Sequence, residues 1–263
     1  MKSLMSLNVL SNRIRPALTI IAGSTAGVLL TALQAFALPQ EQILEKLDPL
    51  LVFTLADAQG APLVALPPDG KKGNPTAGIF MSKKDAEGLL ENLRKNNPEV
   101  AKNVSVLTVS MAEIYQLQMK AVEKKSPMVF AFVPTREQVA SAVELLKASG
   151  QKDAKTFPGT PVFAARAGKD KSFLTMPQPK DGKPVIPFFF NKEQLQPLLD
   201  DLKKQQPELA ATVDIQVFPF EGVLDAMKNR KEPGLEQVVL VPSPEALTLL
   251  QEASKAAAAQ KKK

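Results

Sequence analysis

Apolar positions along this chain switch between two periods, and the sequence of switches points to an alternation of short strands and helices. Leu50 to Leu55 reads as a strand, Leu63 to Leu66 as a second and Ile79 to Met81 as a third. From Ser82 the spacing becomes helical, with Ala86, Leu89, Leu90 and Leu93 on one stripe and Pro98 beyond its end. Ser82, with Asp85 three residues on, reads as the cap of that helix. Val104 to Val109 alternates as a half-buried strand, and Met111 to Val122 returns to helical spacing. Met128 to Val133 is a short strand, and Thr135 opens a third helix. The expected order is β-β-β-α-β-α-β-α. This is an α/β unit whose long helical crossovers predict a mixed sheet with packed helices.

The pattern then recurs. GIFMSKKDAEGLLENLRKNNPEVAKNV from Gly78 is answered by PFFFNKEQLQPLLDDLKKQQPELAATV from Pro187, at an offset of 109 residues. Leu51 to Pro67 meets Pro161 to Pro177 at offset 110, and the segment from Phe130 meets that from Val238 at offset 108. In the second copy Asn191 and Gln194 stand in for the cap, and Leu195, Leu198, Leu199 and Leu202 form the stripe. Ser243 opens its last helix. A repeat of this length predicts two similar halves, related by a pseudo-two-fold axis. The expected organisation is an entry helix over residues 38–49, a first α/β repeat over 50–150, a linker over 151–159 and a second repeat over 160–252, closed by a disordered basic tail over 253–263.

The ends of the chain change the picture. Arg13 and Arg15 precede an apolar run from Pro16 to Leu33, and Ala35-Phe36-Ala37 supplies a small-x-small site. Residues 1–37 therefore read as a cleaved secretory signal; the competing reading is an uncleaved anchor. Net charge is +6. Lys2, Arg13 and Arg15 in the signal, and Lys255, Lys261, Lys262 and Lys263 in the tail, account for all of that excess. A near-neutral body argues against a nucleic-acid-binding face. Cys, His and Trp are absent, so the exported body relies on its core rather than on disulfides.

The same absences remove the commonest general base, the thiol nucleophile and the zinc ligands. Ser149-Gly150-Gln151-Lys152 fits S-x-x-K but reads as a helix end with a glycine stop. Asp200 and Asp201, adjacent on a helix, do not face one centre. No catalytic residue, metal or cofactor is expected. The surplus is apolar and soft. Phe80, Met81, Met111, Ile114, Tyr115, Met119, Phe188, Phe189, Phe190, Phe218, Phe220 and Met227 are either core or the lining of apolar grooves, and a run such as Phe188 to Phe190 needs a cover on both faces of its strand. Grooves of Met and Phe suit unfolded or hydrophobic clients.

Val52-Phe53-Thr54-Leu55, Gly60 to Val64, Gly78 to Asp85, Asn97-Pro98-Glu99-Val100 and Phe132-Val133-Pro134, in this order and echoed in the second copy, resemble the Tic22 family over roughly Leu50 to Leu250. That resemblance implies a two-winged α/β body with apolar pockets and a non-enzymatic, chaperone-like role in protein translocation. Its bacterial branch implies a periplasmic factor in outer-membrane biogenesis, working with unfolded or precursor proteins and an Omp85-type barrel-assembly protein. The thylakoid lumen is the alternative location. The alternative function is a bilobed small-ligand binder with its site between the halves.

Overall fold

The computed structural model describes residues 37–67, 73–178, 182–229 and 234–260. All of the expected signal except Ala37 lies outside them. Helix α1 (Gln40–Leu47) leads into strands β1 (Leu51–Ala56), β2 (Val64–Ala65) and β3 (Thr76–Phe80). Helices α2 (Lys83–Asn96) and α3 (Pro98–Ala101) follow, then β4 (Ser105–Ser110), α4 (Met111–Glu123), β5 (Val129–Val133) and α5 (Arg136–Ala148). The second half runs β6 (Pro161–Ala167), β7 (Ser172–Phe173), β8 (Met176–Pro177) and β9 (Pro184–Phe189), then a 3-10 turn (Lys192–Leu195), α6 (Gln196–Gln205) and α7 (Pro207–Ala210). It ends with β10 (Asp214–Pro219), α8 (Phe220–Asn229), a second 3-10 turn (Leu235–Gln237), β11 (Val238–Val241) and α9 (Pro244–Gln260). Mixed α/β architecture is as the periodicity predicts.

The strands form two mixed sheets. In the first the order is β5-β3-β1-β4, with β2 beside the start of β3. In the second it is β11-β9-β6-β10, with β7 on β6 and β8 on β9. Each sheet has one parallel pair, β3/β5 and β9/β11, and antiparallel pairs elsewhere. The parallel pairs are those whose strands are separated by helices, because a parallel partner requires a long crossover.

The inner faces of the sheets share one core. Val52, Ile79 and Phe130 from the first meet Val162, Phe188 and Leu240 from the second, with Ile43 and Leu47 of α1, Met111 and Ile114 of α4 and Phe220 and Met227 of α8 among them. The outer faces are separate. Phe53, Leu55 and Phe80 lie under Ala86 and Leu90 of α2, and Phe163, Ala165 and Phe189 lie near Leu195 and Leu202.

Two helices change sides. Helix α5 belongs in sequence to the first half, yet its stripe Val139, Ala142, Val143 and Leu146 packs on the outer face of the second sheet. Helix α9, last in the second half, lays Leu249 on the outer cluster of the first sheet. The expected boundaries at 150 and 160 therefore divide the sequence but not the packing.

The helix starts follow the same exchange. Neither Ser82 nor Asn191 makes the expected side-chain cap. Instead, Glu245 Oε2 at the start of α9 accepts from Lys83 N (3.2 Å), and Gln138 Oε1 in α5 accepts from Lys192 N (2.9 Å). A reciprocal capping box forms at Ser110 and Glu113 instead: Ser110 Oγ accepts from Glu113 N (3.1 Å), and Glu113 Oε2 accepts from Ser110 N (2.8 Å). The tail also differs from expectation. Helix α9 continues to Gln260, because its alanine-rich end carries strong helix formers. Residues 261–263 lie outside the described region.

Candidate functional site

Most of the large apolar residues singled out in the sequence are core. Phe80, Met111, Ile114, Tyr115, Phe220 and Met227 are buried, and Phe188, Phe189 and Phe190 are each only 5% exposed. The second cover that Phe189 requires comes from the chain itself, since α5 packs into the cluster that holds it. Phe189 is thus covered by the chain's own helix. Met81, Met119 and Phe218 are half-buried against the central core. The exposed apolar positions lie elsewhere, with Leu66 and Val122 the most open at 73% and 72%.

Five of the expected residues do reach an opening: Phe188 and Phe218 share one, Met81 and Phe190 another, and Tyr115 lies at a third. Phe188 and Phe218, with Phe173, form a triangle of rings whose centroids are 5.4 to 6.0 Å apart. The triangle is the floor of a hollow of about 380 Å³. Ile186 and Val238 extend that floor, Val223 and Ala226 of α8 form a wall, and Leu235 closes one end. Every lining side chain is apolar, and the remaining lining residues are Pro219, Gly222 and Gly234. The hollow exists because its helical wall is thin. At offset 109, Gly222 and Ala226 of α8 stand where α4 has Glu113 and Leu117. Phe173, Ile186, Ala226 and Leu235 were not singled out from the sequence. The only signal for them was this fall in side-chain size at two positions when α8 is laid against α4 at that offset.

A second opening, of about 270 Å³, lies where the halves meet. Met81 and Phe190 stand at the ends of β3 and β9, and Ser82, Thr135, Asn191 and Ser243 stand at helix starts around it. Its polar groups are largely engaged with each other: Gln138 bridges Lys192 N and Glu193 (Nε2 to Oε2, 2.8 Å), and Glu245 holds Lys83 N. A third, of about 370 Å³, places Tyr115 and Phe132 against Glu221, Asp225 and Lys228 of α8. There Lys228 Nζ sits 5.5 Å from the centre of the Tyr115 ring, a cation–π contact. Burial raises the Tyr115 phenol above its usual pKa.

Among the described residues no cluster of Asp and Glu is placed to hold a metal ion. Ser149 Oγ donates to Leu146 O (2.8 Å), and Gly150 has φ +105°, so the S-x-x-K stretch is a helix stop. Among the described residues no helix is long and apolar enough to cross a membrane.

Comparison with known proteins gives a consistent answer. The model of the Tic22-like family matches residues 2–252. The chloroplastic protein TIC 22 of Pisum sativum is 26% identical over 189 residues, which cover 72% of this chain and 63% of the pea protein. The match thus spans less than two thirds of that relative's length. The solved structure of Anabaena Tic22, described as a protein-transport protein, superimposes with a TM-score of 0.71 at 32% identity, covering 82% of this chain and 97% of that one. Tic22 from Plasmodium falciparum, at 20% identity and a TM-score of 0.58, shares the fold, covering 81% of this chain and 98% of its own.

Proposed function

The chain belongs to the Tic22-like family, and from that premise we propose that it is a soluble, non-enzymatic, chaperone-like factor of the periplasm. It holds unfolded or precursor proteins during translocation and outer-membrane biogenesis, with an Omp85-type barrel-assembly protein as its partner. The observation that carries this reading is the hollow over Phe173, Phe188 and Phe218, whose lining side chains are all apolar. At about 380 Å³ it is at the small end of ligand pockets, which run from about 300 to 1,000 Å³, so it takes one or two bulky side chains of a client. Each such side chain contributes about 2 kcal/mol on burial. Two give about 4 kcal/mol, a Kd near 1 mM from this hollow alone. A hold that weak is released readily, as a carrier's must be. On the same reading the two sheets of shared strand order arose by duplication and face each other across a pseudo-two-fold axis.

The test is aggregation of an unfolded client with and without the exported chain, together with binding to the soluble domains of a barrel-assembly protein. Unchanged aggregation and no binding would sink the proposal. The opening of about 270 Å³ between the halves supports a second reading, a small-ligand binder. A single compound that raises Tm by many degrees, in a chain that leaves client aggregation unaltered, would favour it.

A further inference from the structure

The amide nitrogen of Leu38 lies 2.9 Å from the carbonyl oxygen of Met227. Met227 is in the last turn of α8, where carbonyls have no partner within the helix. The side chain of Leu38 is half-buried against the central core, and α1 begins two residues later. Ile43 and Leu47 anchor α1 in that core. Lys46 Nζ ties its far end to Glu236 O (2.9 Å) and Val238 O (2.7 Å). Leu38 is therefore a fixed point of the fold. It is also the residue immediately after Ala35-Phe36-Ala37, the small-x-small pattern.

The structure assigns the Ala37–Leu38 amide as a processing bond, and the amino group that its hydrolysis frees as a charged cap on the C-terminus of α8. A signal peptidase supplies the hydrolysis. Water adds across the amide, leaving a carboxylate on Ala37 and an ammonium on Leu38. Before cleavage the nitrogen offers Met227 one neutral N–H. Afterwards it offers an N⁺–H at the negative end of a helix dipole, a shorter and stronger bond. Lys228, in the last turn of α8, is turned onto the Tyr115 ring. The start of α1 disfavours a cation, and Glu41 in its first turn offsets this. Cleavage thus completes the centre of the molecule as well as releasing it, independently of what the mature chain binds.

The test uses the full chain expressed with export. The mass of the product should place its first residue at Leu38. Asn-Gln inserted between Ala37 and Leu38 creates no second small-x-small site and moves the ammonium away from Met227. That product should melt about 3 °C lower and exchange the amide hydrogens of α1 about tenfold faster, with α2 unaffected. Acetylating only the terminal amine of the unaltered product removes the charge without lengthening the chain, and should have the same effect. A product beginning at any other residue overturns the assignment of the bond. A melting point and α1 exchange unmoved by acetylation overturn the role of the charge.

Discussion

Ala226 offers the sharpest perturbation of the hollow. It forms part of the α8 wall, is only 9% exposed, and has Leu117 at the matching place in α4. Replacing Ala226 with Leu directs three more carbons into space that a client side chain would otherwise fill. At about 0.8 kcal/mol per buried methylene, the client forfeits about 2.4 kcal/mol, roughly a 50-fold loss in affinity for a segment anchored there. The stability of the chain itself should hold, because leucine is only slightly poorer than alanine in a helix and burial of its new carbons offsets that loss. The measurement is the concentration of chain that halves light scattering by an unfolded client, with thermal unfolding run alongside. Leu89→Lys, on the exposed side of α2, is the control and should alter neither. If Ala226→Leu protects the client as well as the parent chain at equal Tm, the hollow is not where clients are held.

Three further outcomes rest on local geometry. Gly159 has φ +82°, and a β-carbon there would meet the carboxylate of Glu221, which accepts from Thr160 N (2.9 and 3.1 Å) and from Thr160 Oγ1 (2.9 Å). Gly159→Ala should therefore cost about 1 kcal/mol of backbone strain and about 2 to 3 kcal/mol of lost hydrogen bonding at the buried Thr160; in a double-mutant cycle with Glu221→Ala the losses should not add, and additivity would refute the shared cause. Ser110→Ala breaks the capping box of α4 and should lower stability by about 1 kcal/mol in urea unfolding, whereas Ser82→Ala, which removes no cap, should change it little. Desolvation acts to raise the pKa of Asp214, but the hydrogen bond and charge of Arg166, the charge of Lys171 and the hydrogen bond of Gln216 outweigh it and leave it below its usual 3.8. The contribution of this carboxylate is present above pH 3.8 and lost as pH falls through the depressed folded value, so Asp214→Asn should flatten the acid limb of a stability profile measured from pH 5 down to 2.

The sheets and helices were legible because each has an apolar period of its own. Helix α2 and strand β4 form where these periods put them, although Leu89 of the stripe is exposed and burial along β4 does not strictly alternate. The exchange of α5 and α9 was not legible. A stripe such as Val139, Ala142, Val143 and Leu146 says that a helix is covered, not which of two similar sheets covers it. Caps were misread for a related reason: Ser82 and Ser110 present the same signature, but at Ser82 the free N–H is met by Glu245, 162 residues away. At the site, size misled. Large apolar side chains such as Phe220 and Met227 were candidates for a groove, yet large side chains fill space and close it. The hollow follows from the small residues Gly222 and Ala226, which carry no mark on a scale of hydrophobicity. They stand out only when the two helices are laid side by side.

The crossed helices also set an order of events. A chain made from its N-terminus completes the strands of its first sheet early, but the outer cluster of Phe53 and Phe80 receives its last contribution from Leu249, near the other end. Helix α5 in turn has no surface for its stripe until β6 and β10 exist. Contacts this distant in sequence slow folding and leave greasy surface open while the chain waits. Full-length synthesis is then written into the packing. A molecule broken off before α9 keeps an exposed patch on its first sheet, a visible sign of incompleteness that a protease or another chaperone can read.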